Sequence, residues 1–95
     1  MLSEDLRAVL LLRFFVFLVV PMLNPDGVFN GNYRMDMLHQ NLNRHYKSPN
    51  LKDQPSIYAV KSLVEQLARE GRLAFYFDLH AHPGKKGCFM YGNAF

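Results

Sequence analysis

The sequence predicts an α/β fold, a partial and mixed but mainly parallel sheet flanked by helices, and three observations carry that expectation. Two short runs, Phe14–Val20 and Leu73–Leu79, are dense in aromatic and apolar residues with no polar alternation, the pattern of strands covered on both faces. Between them, Pro55 to Gly71 repeats apolar residues at helical spacing. The order strand, loop, helix, strand is that of a βαβ unit, whose strands should be parallel and whose crossover should be right-handed.

Taken in order, Ser3 can cap a first helix whose opening turn holds Glu4 and Asp5, where carboxylates suit the positive end of the helix dipole. Leu6, Val9 and Leu10 form its apolar face, and it should stop near Leu12. The first strand, FFVFLVV, follows and ends at Pro21, after which NPDG, Asn24–Gly27, reads as a turn. Residues 28–50 are polar and without a sustained period, so they form a long loop, a feature that in small domains usually serves function. Pro55 opens the second helix. Val60, Leu63, Val64 and Leu67 share one of its faces, Glu65 and Arg69 are spaced to pair, and Gly71 stops it. LAFYFDL is the second strand and CFMY, Cys88–Tyr91, a shorter third. Two helices are few for a sheet that needs cover above and below, so the chain reads as a slice of a larger sheet.

The chain has 95 residues, enough for one domain that would bury roughly 60–65% of its extended surface. Its composition, 49% hydrophobic, 20% charged and 14% aromatic, is that of a globular protein and excludes a disordered tail. The net charge of +3 comes from scattered Lys and Arg with no accompanying nucleic-acid motif, so no nucleic-acid partner is expected. One cysteine, Cys88, excludes an internal disulfide and a Cys-rich zinc site. Val9–Val20 is broken by Arg13, closed by Pro21 and shorter than the roughly 18 apolar residues of a spanning helix, so a soluble, cytoplasmic chain is expected and membrane association is a minor alternative.

In a parallel sheet, ligands bind beyond the carboxyl ends of the strands. Both runs end in polar segments, PMLNPDG and DLHAH, which should converge on one edge. Asp78, His80 and His82 alternate, so an extended backbone could aim all three at a metal; the same pattern also suits a simple polar strand end. HPGK, His82–Lys85, would need Glu in place of Lys85 to act as a ligand motif. Arg34 and Arg44 in the loop can each fork onto a carboxylate or polarise a carbonyl, and Asn43 can donate to the same anion, although solvated arginines look no different in sequence.

PMLNPDGV, then GNYR, NLNR, FYFDLHAH and KKGCFMYGN, five motifs in register over nearly the whole chain, resemble the zinc carboxypeptidases, and among them the cytosolic carboxypeptidases that trim glutamates from tubulin. The resemblance implies that the chain is a fragment of the zinc carboxypeptidase fold, residues 1–95 being a partial catalytic domain. It implies His80 as a zinc ligand with His82 beside the site. It further implies Arg34 as the group that stabilises the oxyanion, and Asn43 with Arg44 as the clamp on the substrate's terminal carboxylate. The chemistry implied is hydrolysis of a C-terminal residue, glutamate by analogy with the deglutamylases, from a protein chain such as tubulin, with a Zn2+-bound water deprotonated by a Glu.

The family's other zinc ligands, in an HxxE motif, would precede PMLNPDG, and its general-base Glu would follow Phe95. Neither is among these residues, so the isolated chain is expected to be inactive and to bind zinc weakly. The alternative is a non-catalytic carboxylate-binding module that keeps Asn43 and Arg44 without the metal. One departure concerns His39, which stands where the family has Gly; if that position needs φ > 0, His39 strains the loop and the aim of Arg44 with it.

Overall fold

The computed structural model describes residues 4–93, and among them the regular structure is entirely helical. Helix α1 spans Leu6–Phe14, α2 spans Pro25–Phe29 and α3 spans Pro55–Arg69, with one turn of 3-10 helix at Leu42–Arg44. The expected mainly parallel sheet is absent among the described residues, and this corrects the α/β expectation.

The reason lies in what a strand requires. Phe15 is extended, at φ −128° and ψ 141°, so the local preference of the first run survives. A ladder, however, is a non-local structure. No backbone hydrogen bond among the described residues joins residues 15–20 to 73–79, although the Phe15 and Phe75 rings lie 6.1 Å apart. Runs apolar on both faces are stabilised as strands only when other elements cover those faces, and here the cover is missing. Val16 is 85% exposed and Leu79 91%. The third run, Cys88–Tyr91, is likewise unpaired and exposed. Its Phe89 packs edge-on against the His82 ring at 5.6 Å.

The dimensions agree. The chain exposes 8778 Å², against about 5,600 Å² for a compact 11 kDa monomer. Its radius of gyration is 15.6 Å, against about 12.4 Å for a compact domain of this length.

Local signals fare better than non-local ones. Asp5 caps α1, its carboxylate accepting from the Arg7 backbone N–H at 2.8 Å and from the Arg7 guanidinium at 2.7 and 3.0 Å. Those contacts hold the Asp5 carboxyl below its usual range. Ser3, the expected cap, lies outside the described residues. Helix α1 runs two residues past the expected stop and takes Phe14 from the first run, because the Phe15 N–H still donates to the Leu11 carbonyl at 2.9 Å. NPDG opens α2 instead of a simple turn: Asn24 is its cap, accepting from the Gly27 N–H at 3.0 Å, and Pro25 occupies the first helical position, where its missing N–H costs nothing.

Helix α3 matches its expected span, and Gly71 follows it at φ +66°. Its anchor is Ile57, 1% exposed. Lys61, at 3.7 Å, is the partner of Glu65, in place of the expected Arg69.

The interior that does exist is small and largely polar. Gly27, Asp36, Gln54 and Ile57 are buried. Asp36 Oδ1 accepts from the backbone N–H groups of Leu38 (2.9 Å) and Gln40 (2.7 Å), closing the turn over residues 36–40. Gln54 receives the Asn50 N–H at 2.9 Å and donates to the Gln40 side chain, so the foot of α3 is tied to that turn. Among the described residues each buried side-chain nitrogen or oxygen thereby has a partner, as burial demands.

Candidate functional site

The loop of residues 28–50 carries three of the candidate residues, and its course is set from below. Asn24 Nδ2 donates to the Met35 carbonyl at 3.0 Å while Asn24 Oδ1 caps α2, so one side chain joins the helix start to the residue after Arg34. Gly27 permits that approach: a Cβ there would lie 2.2 Å from Asn24 Nδ2 and 2.5 Å from the Met35 oxygen.

Arg34 stands at φ +51°, a left-handed conformation that costs a non-glycine residue free energy. Its guanidinium sits 4.8 Å over the Tyr33 ring centre and donates to the Tyr33 hydroxyl at 3.0 Å, leaving the side chain exposed. His39 is the other non-glycine residue at positive φ among the described residues, at +57°. That is the conformation that makes a glycine preferable there, and Asp36, by closing the turn, holds His39 in it.

Asn43 and Arg44 lie side by side in the 3-10 turn, whose cap is the Asn41 side chain accepting from the Asn43 N–H at 3.2 Å. The Arg44 guanidinium is exposed, and its recorded bond is a weak one, Nη1 to the Asn43 carbonyl at 3.4 Å. A guanidinium with most of its five donors uncommitted can take a carboxylate on its fork.

His80 and His82 differ in their chemistry. His82 Nδ1 accepts from the Gly84 N–H at 3.1 Å, so this ring closes the Pro-Gly turn. His80 Nδ1 is 2.9 Å from the Ala81 carbonyl; with the proton on Nδ1, Nε2 keeps its lone pair for a cation. Among the described residues no three His, Cys, Asp or Glu side chains come together, so a zinc ion does not find a complete ligand set here. Arg34, Asn43, Arg44 and His80 each bond to a sequence neighbour, and no hydrogen bond joins the loop residues to His80. Two clefts, one of 220 Å³ beside the middle of α3 and one of 270 Å³ at its foot, are lined by none of these four.

Sequence reasoning did not single out Tyr46. Its hydroxyl meets that of Tyr76 at 3.2 Å and links the loop to the segment ahead of His80. Burial first, then the Tyr76 hydrogen bond and the nearby Tyr76 and Asp78 charges, push the Tyr46 phenol well above its usual range. No local pattern marks such a pair, which depends on residues 30 positions apart.

No family model and no solved structure matches the chain. Curated proteins do. Cytosolic carboxypeptidase 6 of Caenorhabditis elegans is 46% identical over 95 residues, covering 98% of this chain and 21% of its own length. Cytosolic carboxypeptidase 6 of Homo sapiens is 41% identical over 100% of this chain and 19% of its own length. Cytosolic carboxypeptidase 2 of Mus musculus is 47% identical over 96% of this chain and 11% of its own length. The chain therefore spans about a fifth or less of these relatives, and among its described residues no helix is long and apolar enough to cross a membrane.

Proposed function

Because the chain belongs to the cytosolic carboxypeptidases, we propose that it acts as the central part of a zinc-dependent metallocarboxypeptidase that removes C-terminal residues, glutamate above all, from protein chains such as tubulin in the cytoplasm. The observation that supports this reading is identity of 41–49% over most of the chain to proteins named cytosolic carboxypeptidases.

In the proposed roles, Arg44 forks onto the terminal carboxylate with Asn43 donating beside it, which fixes the substrate by its end and explains exopeptidase action. Arg34 neutralises the oxyanion that develops on the scissile carbonyl. His80 would offer Nε2 to the zinc, which would need further ligands and a general base that these residues do not supply. The isolated chain is inactive on this account, since one imidazole is a poor metal site.

Exchanging this chain for the matching segment of the Caenorhabditis elegans relative tests the roles. The chimera should hydrolyse a peptide ending in glutamate; Arg44→Ala should raise KM by tenfold or more, and His80→Ala should lower bound zinc. Unchanged zinc content in the folded His80→Ala chimera would remove the ligand assignment. The 95-residue chain alone should retain well under one equivalent of zinc after dialysis, and full retention would overturn its proposed inactivity. A carboxylate-binding module without metal is the competing reading, motivated by the lone His80; it predicts that the chimera binds the peptide without cleaving it.

A further inference from the structure

Tyr46 lies two residues after Arg44, and Tyr76 lies four before His80. The contacts of the clamp residues are local: Asn43 to Asn41, and Arg44 to Asn43. His80 is equally local, bonded to Ala81. Nothing in those bonds relates the clamp to the ligand segment. Among the described residues, the side-chain hydrogen bond that does cross from the loop to the 73–80 segment is the one between the Tyr46 and Tyr76 hydroxyls, 3.2 Å long.

We infer that Tyr46 is a positioning residue: its hydroxyl, held on that of Tyr76, sets the loop bearing Asn43 and Arg44 at a fixed distance from the segment bearing His80. The inference rests on the proposed carboxypeptidase reading. A substrate gripped by its terminal carboxylate must offer its last peptide bond, one residue back, to the metal side of the site. Misplacement by about 1 Å between two such groups can cost as much as a hundredfold in rate. A phenol suits the task because it is rigid and ends in one polar atom.

Tyr46→Phe keeps the ring and removes the oxygen, as does Tyr76→Phe. In the 95-residue chain, exchange of the hydrogen-bonded Arg44 and His45 amides should quicken by about fivefold, the loss of one ordinary hydrogen bond, in either variant. The double variant should be no faster than the singles. Quickening in Tyr46→Phe alone, or multiplied in the double variant, would overturn the link.

In the chimera described above, Tyr46→Phe should lower kcat about tenfold with KM within twofold of the parent, since the clamp remains. A variant that only folded less well would lose active-site titre and keep kcat per site, which overturns positioning. Arg44→Ala separates the two ideas: a KM unmoved by it sinks the clamp, whereas a raised KM with Tyr46→Phe silent sinks the positioning role alone.

Discussion

Replacing Gly27 by alanine pits helix propensity against a steric contact, and the two predict opposite signs. Gly27 lies inside α2, where alanine alone would stabilise by about 1 kcal/mol. The added Cβ would sit 2.2 Å from Asn24 Nδ2 and 2.5 Å from the Met35 carbonyl oxygen. Asn24 must then swing away, which breaks its bonds to the Met35 carbonyl and the Gly27 N–H and costs about 2 kcal/mol for two hydrogen bonds. The Met35 carbonyl is backbone and must also retreat, adding ~1–3 kcal/mol of overpacking strain. After the gain in propensity is subtracted, the net loss is ~2–4 kcal/mol. Amide exchange reads this locally. The Asn32 N–H, which donates to the Gly27 carbonyl, and the Gln40 N–H, held by Asp36, should exchange at least about 30-fold faster. Asn24→Ala with Gly27→Ala should recover little, because the Met35 oxygen still obstructs. Exchange in Gly27→Ala equal to or slower than in the parent would refute the claim that this close approach shapes the Arg34 loop.

Three further outcomes are expected. His39→Gly should raise the local stability of the turn by about 0.5–1 kcal/mol, since relief from φ +57° exceeds the extra chain entropy of glycine; slower exchange of the Gln40 amide measures it, and no change would remove the strain argument. The Tyr46 phenol, raised in the folded chain chiefly by burial, contributes stability that is intact below the ordinary phenol value of about 10 and is lost as pH climbs through the raised value. Phenolate absorbance should therefore show the Tyr46 phenol titrating above the ordinary phenol value, and it should move back toward that value in Tyr76→Phe. The excess exposed surface over a compact monomer, about 3,000 Å², is larger than a standard protein interface, so the isolated chain should associate with rising concentration in sedimentation experiments; Val16→Lys with Val19→Lys should suppress this, and a strictly monomeric parent would contradict it.

The residues that decide the family were legible in sequence. Five motifs in register pointed to the cytosolic carboxypeptidases, and the relatives bear that out. The glycine expected at position 39 foretold the positive φ found there. The assignments of Arg34, Asn43, Arg44 and His80 come from motif position, while their chemistry comes from the side chains; the structure adds what each one touches. It does not unite them, since the bonds recorded for all four are to near neighbours in sequence.

Helix α3, its Pro55 start and its Gly71 stop were determined by the sequence itself, because caps, period and chain reversal act within a few residues. Tertiary structure alone decided the fate of Phe14–Val20 and Leu73–Leu79. Their apolar, β-favouring composition sets an extended preference, but a strand is completed by hydrogen bonds to a distant neighbour and by cover on both faces. It likewise decided the Gly27 approach to Met35 and the Tyr46–Tyr76 bond, which join residues that neither period nor propensity relates. Short-range interactions act on any chain that carries them, whereas long-range ones exist only where the rest of the fold brings both partners together.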